Sequence, residues 1–118
     1  MKLEDIIDAG LLAKMDAVGP EAKAAVVEVI GRYEEDDAWS VAQRLAYIAS
    51  YIKDEEAVIE SARAIGRYEG EAARSVAQGL ADVANYTKGA VITACELVKI
   101  SGSGVFDLLT GRDIASIQ

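Results

Sequence analysis

The side chains in this sequence able to do chemistry are acids, arginines, tyrosines and one thiol; histidine is absent. Without imidazole the chain lacks the usual acid–base group near neutral pH and the commonest nitrogen ligand for a metal. Cys95 is the only cysteine, so no intramolecular disulfide can form and no histidine can activate the thiol. An inert thiol is expected, partly buried because it aligns with Ala25 and Glu60 in the repeat described below. The run Glu34-Glu35-Asp36-Asp37 offers the clustered oxygens that Ca²⁺ or Mg²⁺ prefers, but it lacks the alternating spacing of an EF-hand loop. It reads as a solvated turn that favours a helix start through the macrodipole. Ser101-Gly102-Ser103-Gly104 could cradle a phosphate on backbone N–H groups. It has no strand before it and no Gly-Lys-Ser/Thr ending, so it reads as a hinge. No repeated Glu-x-x-Glu or Glu-x-x-His pair is present. No catalytic constellation emerges, and neither a metal nor a cofactor is expected.

The remaining candidates are binding groups. Trp39, Gln43, Tyr47 and Tyr51 fall four apart, so a helix over this stretch carries them along one side. Three of the four are aromatic, and clustered exposed aromatics mark binding surfaces. The competing expectation is that the first helix folds over them. Arg32 and Arg67, each beside a glycine, stand near expected helix ends, where a cation offsets the dipole; together they could also hold an anion. Tyr33, Tyr51, Tyr68 and Tyr86 recur at spacings of 18, 17 and 18. A ladder of rings can stack single-stranded bases, but such platforms also need a basic groove. Each ring is instead expected to lie between helix ends with its hydroxyl in water.

Those spacings come from a repeat. At an offset of 35, residues 30–54 match residues 65–89 at 15 of 25 positions, including IGRYE and SVAQ. Self-similarity at such a period marks stacked units. Positions kept in both copies, such as Gly31/Gly66, Val41/Val76, Leu45/Leu80 and Ala49/Ala84, are expected to serve packing. The largest differences are Trp39 against Arg74 and Tyr47 against Asp82. Because Arg and Asp suit solvent, the aromatic counterparts are expected to face solvent too.

Apolar residues at helical spacing predict helices over 3–18, 20–33, 37–52, 55–68, 71–88 and 90–100, with a short broken helix over 105–118. Gly19-Pro20 suits a stop followed by a start. Asp54 is a good N-cap, and Gly70 and Gly89 separate later helices. The expected fold class is all-α. One domain over 1–118 forms a right-handed stack of about three antiparallel helical hairpins, with units near 1–34, 35–69 and 70–104. No such hairpin buries its apolar face alone, so each covers the last.

Within the units the ladder Val-x-x-x-(Ala/Leu)-x-x-(Ile/Val)-(Gly/Ala) appears as Val58, Ala62, Ile65, Gly66 and as Val76, Leu80, Val83, Ala84. This resembles short HEAT-type repeats over 20–100. The unit is shorter than usual, and the family's characteristic Pro and Asp/Arg positions are not cleanly matched. The resemblance implies an α-solenoid architecture and a scaffold or protein-binding role.

Composition sets the limits. A chain of 118 residues with 52% hydrophobic content can bury a core as one domain. Only 6% of residues are aromatic while alanine is abundant, which favours close-packed helices over a sheet. The net charge of −8 repels phosphate backbones, so nucleic-acid binding is not expected. Acids within the first apolar stretch argue against a signal peptide, and no run of 18 apolar residues suggests a membrane span. A cytoplasmic protein is expected, and few Asn and Gln hint at a heat-adapted source. The expected function is a protein–protein interaction or scaffold module that self-associates as a homodimer. The alternatives are an acidic regulator or nucleic-acid-mimicking decoy for a basic partner protein and, last, a small metal-dependent enzyme with convergent acids in an interior pocket.

Overall fold

The structure, a computed structural model, describes residues 3–117, the side chain of Glu4 excepted. Met1, Lys2 and Gln118, which fall in the expected first unit and terminal helix, lie outside the described residues. Among the described residues there are eight α-helices and no strand. These are α1 (Ala9–Val18), α2 (Pro20–Ile30), α3 (Glu35–Ile52), α4 (Glu55–Ile65), α5 (Gly70–Val83), α6 (Lys88–Ser101), α7 (Val105–Leu108) and α8 (Gly111–Ser116). A 3-10 turn at Leu3–Asp5 precedes them.

Local chemistry sets the helix ends. Asp8 adopts extended backbone, and its carboxylate accepts from the Leu11 N–H at 2.9 Å, so α1 begins after it rather than at residue 3. Ile6 and Ile7, ahead of the cap, are buried; that burial is why their spacing reads as part of a helical stripe. Asp54 caps α4 as expected, accepting from the Ala57 N–H at 3.0 Å. Thr87 caps α6 through the Ala90 N–H at 3.0 Å, which places Gly89 inside that helix instead of at the end of the previous one. Helices α2, α4 and α5 stop three residues before Tyr33, Tyr68 and Tyr86. At each stop the tyrosine N–H turns back to the carbonyl of Ile30, Ile65 or Val83, a tighter 3-10-type closure. α3 runs longer and ends on Lys53, which takes the left-handed conformation at φ 54°.

Each long helix packs on the helix two along as well as on its sequence neighbour. α3 lies between α1 and α5, and α4 lies between α2 and α6. Small side chains make up much of the buried faces of α3 and α5. Ala38, Ala42, Ala46 and Ala49 of α3 and their offset-35 counterparts Ala73, Ala77, Ala81 and Ala84 of α5 are all buried. Val41, Val76, Leu45 and Leu80 are buried too, as positions kept for packing should be. Met15, Ile48, Ile65 and Ile114 fill the space between the rows. The radius of gyration is 12.7 Å, slightly below the ~13.5 Å typical of a compact domain of this length.

The C-terminal helices dock on the chain's own body, with α8 packed against α5 and α6. The docking depends on Gly79, where the first copy has Arg44: a Cβ at Gly79 would overlap the Phe106 ring of α7. Gly111 adds a second close approach, 3.2 Å from the Asp82 carbonyl to where its Cβ would stand.

Candidate interaction surface

Along α3, side chains four apart advance by about 40° per step, so Trp39 and Tyr51 stand roughly 120° apart around the axis and about 18 Å apart along it. The structure follows that drift. Trp39 is 55% exposed and Tyr51 56%. Between them, Gln43 Nε2 donates to the Ile6 carbonyl at 2.9 Å, so the segment ahead of α1 engages it. The α1 side of α3 is further held by Lys14 Nζ, which donates to Ser50 Oγ at 3.1 Å. Tyr47 turns the other way, with its hydroxyl 2.8 Å from Asn85 Oδ1 and its ring centroid 4.5 Å from that of Tyr51. The four residues therefore divide. Trp39 stands near the start of α3 beside exposed Glu35 and Asp36, and a Tyr47–Tyr51 pair lies toward its end. The first helix leaves Trp39 and Tyr51 exposed.

Arg32 Nη1 donates to the Gly66 carbonyl at 3.3 Å, and Nη2 pairs with Glu28 at 3.0 Å. This brings Arg32 next to Arg67, at the ends of α2 and α4. Both line a groove of about 680 Å³ between those helices, with Arg63 as a third basic wall and Ala24, Ala25 and Ala62 among its small side chains. Sequence reasoning passed over Arg63. Extending the offset-35 comparison one helix back sets it against Glu28, a reversal of charge that would have drawn attention to it.

The tyrosines split into two kinds. The Tyr33 hydroxyl lies 3.0 Å from the Ile65 carbonyl and 2.8 Å from that of Tyr68, and the Tyr68 hydroxyl donates to the Val98 carbonyl at 3.2 Å. The Ile65 and Val98 carbonyls also accept from the Tyr68 and Gly102 N–H groups, so the hydroxyls add a second donor at each and are engaged rather than wet. Burial, ahead of neighbouring charges, raises the Tyr33 pKa above the ordinary phenol value. Tyr51 and Tyr86 are exposed instead.

Cys95 is fully buried rather than partly, with Ser61 Oγ at 4.0 Å. Burial pushes its thiol pKa up to about 11. In the acidic run, Asp37 pairs with Arg74 at 3.1 Å, while Glu34, Glu35 and Asp36 stay exposed. Among the described residues no three His, Cys, Asp or Glu side chains gather as a metal site, and no helix is long and apolar enough to cross a membrane. Gly102, at φ 81°, breaks the chain between α6 and α7. Comparison with protein-family models, curated proteins and solved structures finds no match to this chain.

Proposed function

We propose that this chain is a small α-solenoid of HEAT-like type that works as a protein-interaction or scaffold module and self-associates. Support for the solenoid comes from the 35-residue sequence repeat together with ties between units at nearly that separation, such as Lys88–Asp54 and Arg74–Asp37. The observation that carries the binding role is Trp39, a large aromatic 55% exposed on a chain with only seven aromatic residues. A side chain of this type, left in water, serves best as an anchor in a contact. The reading assigns the chain no reaction and no cofactor, and a reducing compartment such as the cytoplasm suits its one buried thiol.

The test is light scattering on the natural chain and on Trp39→Arg/Tyr47→Asp, which copies the sister helix. An assembly that becomes a folded monomer in the variant supports the reading. A natural chain that stays strictly monomeric at high concentration removes the self-association. A second reading, an acidic regulator or decoy of a basic partner, draws on the net charge of −8. It predicts complexes that weaken steeply with salt, whereas an aromatic anchor changes little.

A further inference from the structure

We infer that the groove between α2 and α4 receives the acidic turn of a second copy of this chain: Arg63 and Arg67 of one chain hold Glu34, Glu35 and Asp36 of the other, reciprocally about a two-fold axis. The inference rests on the self-association proposed above and assigns it a surface.

Three observations carry it. First, the charge is out of place. The chain has six arginines (Arg32, Arg44, Arg63, Arg67, Arg74, Arg112) and a net charge of −8, yet three of the six line this one groove, against two acids, Glu21 and Glu28. Arg32 is spent on Glu28 and the Gly66 carbonyl, and Arg63 reaches only Glu60 on its own helix. The guanidinium of Arg67 has no hydrogen bond or ion pair among the described residues. A guanidinium beside a second one is suited to a carboxylate from outside.

Second, the groove is open for a reason that the repeat exposes. Ala24 and Ala25 occupy the places taken by Ile59 and Glu60 one unit later, and Ala62 the place of Leu97. In the next interval, between α4 and α6, Leu97 is half-buried and Glu60 meets Lys99 across the gap at 4.0 Å, while Ile59 of α4 lines the open groove itself. An ion pair bridges the α4–α6 interval, and alanines keep the α2 side of the other interval low.

Third, the complementary piece sits on the same edge. α2 ends at Ile30 and α3 begins at Glu35, so the exposed acids follow Arg32 by only two to four residues. A patch with its basic half and acidic half side by side is self-complementary under a two-fold rotation, which is the geometry of closed dimers. The net charge opposes any approach of two copies, so salt acts on this contact in both directions. Exchange of charges reads it directly.

The experiment is sedimentation equilibrium on the full chain, with circular dichroism to confirm folding. Arg63→Glu/Arg67→Glu and Glu34→Lys/Glu35→Lys/Asp36→Lys should each weaken self-association about tenfold, since two or more exposed pairs are reversed. An equimolar mixture of the two variants should recover it as a heterodimer. If a multiple variant does not fold, Arg67→Glu and Glu34→Lys, both outside helices, make the same exchange. Loss without recovery on mixing overturns the pairing. Assembly untouched by the arginine variant but abolished by Trp39→Arg/Tyr47→Asp also overturns it, while leaving the interaction module standing. A monomeric natural chain removes both.

Discussion

Gly31 and Gly66 are equivalent in the repeat, and their surroundings differ. Both take ordinary right-handed backbone at the ends of α2 and α4. A Cβ at Gly66 would stand 3.0 Å from Arg32 Nη1 and 3.2 Å from Val29 Cγ2, whereas one at Gly31 would meet only carbonyls of its own helix, at 3.5 Å. Gly31→Ala should therefore leave stability unchanged or raise it by about 0.4–1 kcal/mol through the unfolded state. Gly66→Ala should lower it, and urea denaturation of the two variants gives the comparison. Cys95 gives a pH prediction. Its pKa is about 11 in the folded chain against 9.0 for a free thiol, so as pH rises the unfolded chain ionises first. Stability held below pH 9 should fall between pH 9 and 11 by about 3 kcal/mol. In Cys95→Ala that part of the alkaline loss should be missing. Identity between repeat copies told that both glycines are retained; it could not tell that only one is crowded, because the crowding comes from Arg32 and Val29 of the preceding unit.

At the scale of helices, the sequence showed the breaks better than the ends. Gly19-Pro20 and Asp54 were legible because a single residue sets each boundary through its own backbone or cap. The ends before Tyr33, Tyr68 and Tyr86 were not, since the tyrosines keep helical spacing while the chain has already turned. One difference between copies was visible but unread: Arg44 against Gly79. Both positions point toward the next helix in the row, and the glycine marks the place where that helix is replaced by the short α7 and α8. Gly79→Arg, which copies the first unit, should expel the Phe106 ring and release α7 and α8. Hydrogen exchange should then be fast over 105–117 and unchanged in α3, which packs on the far side of α5. Protection retained over 105–117 would show that the glycine does not govern the docking.

For the molecule as a whole, 20 acids stand against 12 basic residues, and the ion pairs are largely at the surface, where each contributes little. Self-repulsion therefore outweighs pairing, and screening should help. The melting temperature should rise by a few degrees from ~10 mM to ~300 mM salt, and a fall would mean that the surface pairs matter more than their exposure suggests. Arg74 marked the place of Trp39 as solvent-facing, but Asp82 did not do so for Tyr47, which is half-buried against the core. The division of the α3 aromatics into a tryptophan and a tyrosine pair was not legible, because it follows from the drift of a four-residue step and from the grip of Ile6 on Gln43. One tie between helices also bears on how the chain is made. Glu55, at the head of α4, accepts the N–H groups of Glu21 and Ala22 at 2.9 and 3.0 Å, and so closes the start of α2. In turn the Tyr33 hydroxyl donates to the Ile65 carbonyl at the end of α4, and that of Tyr68 to the Val98 carbonyl in the last turn of α6. Synthesis delivers residue 21 long before residue 55, so on the ribosome α2 keeps a loose beginning until its successor emerges. α4 and α6 each then find their tyrosine already in place, and the order of translation becomes an order of assembly.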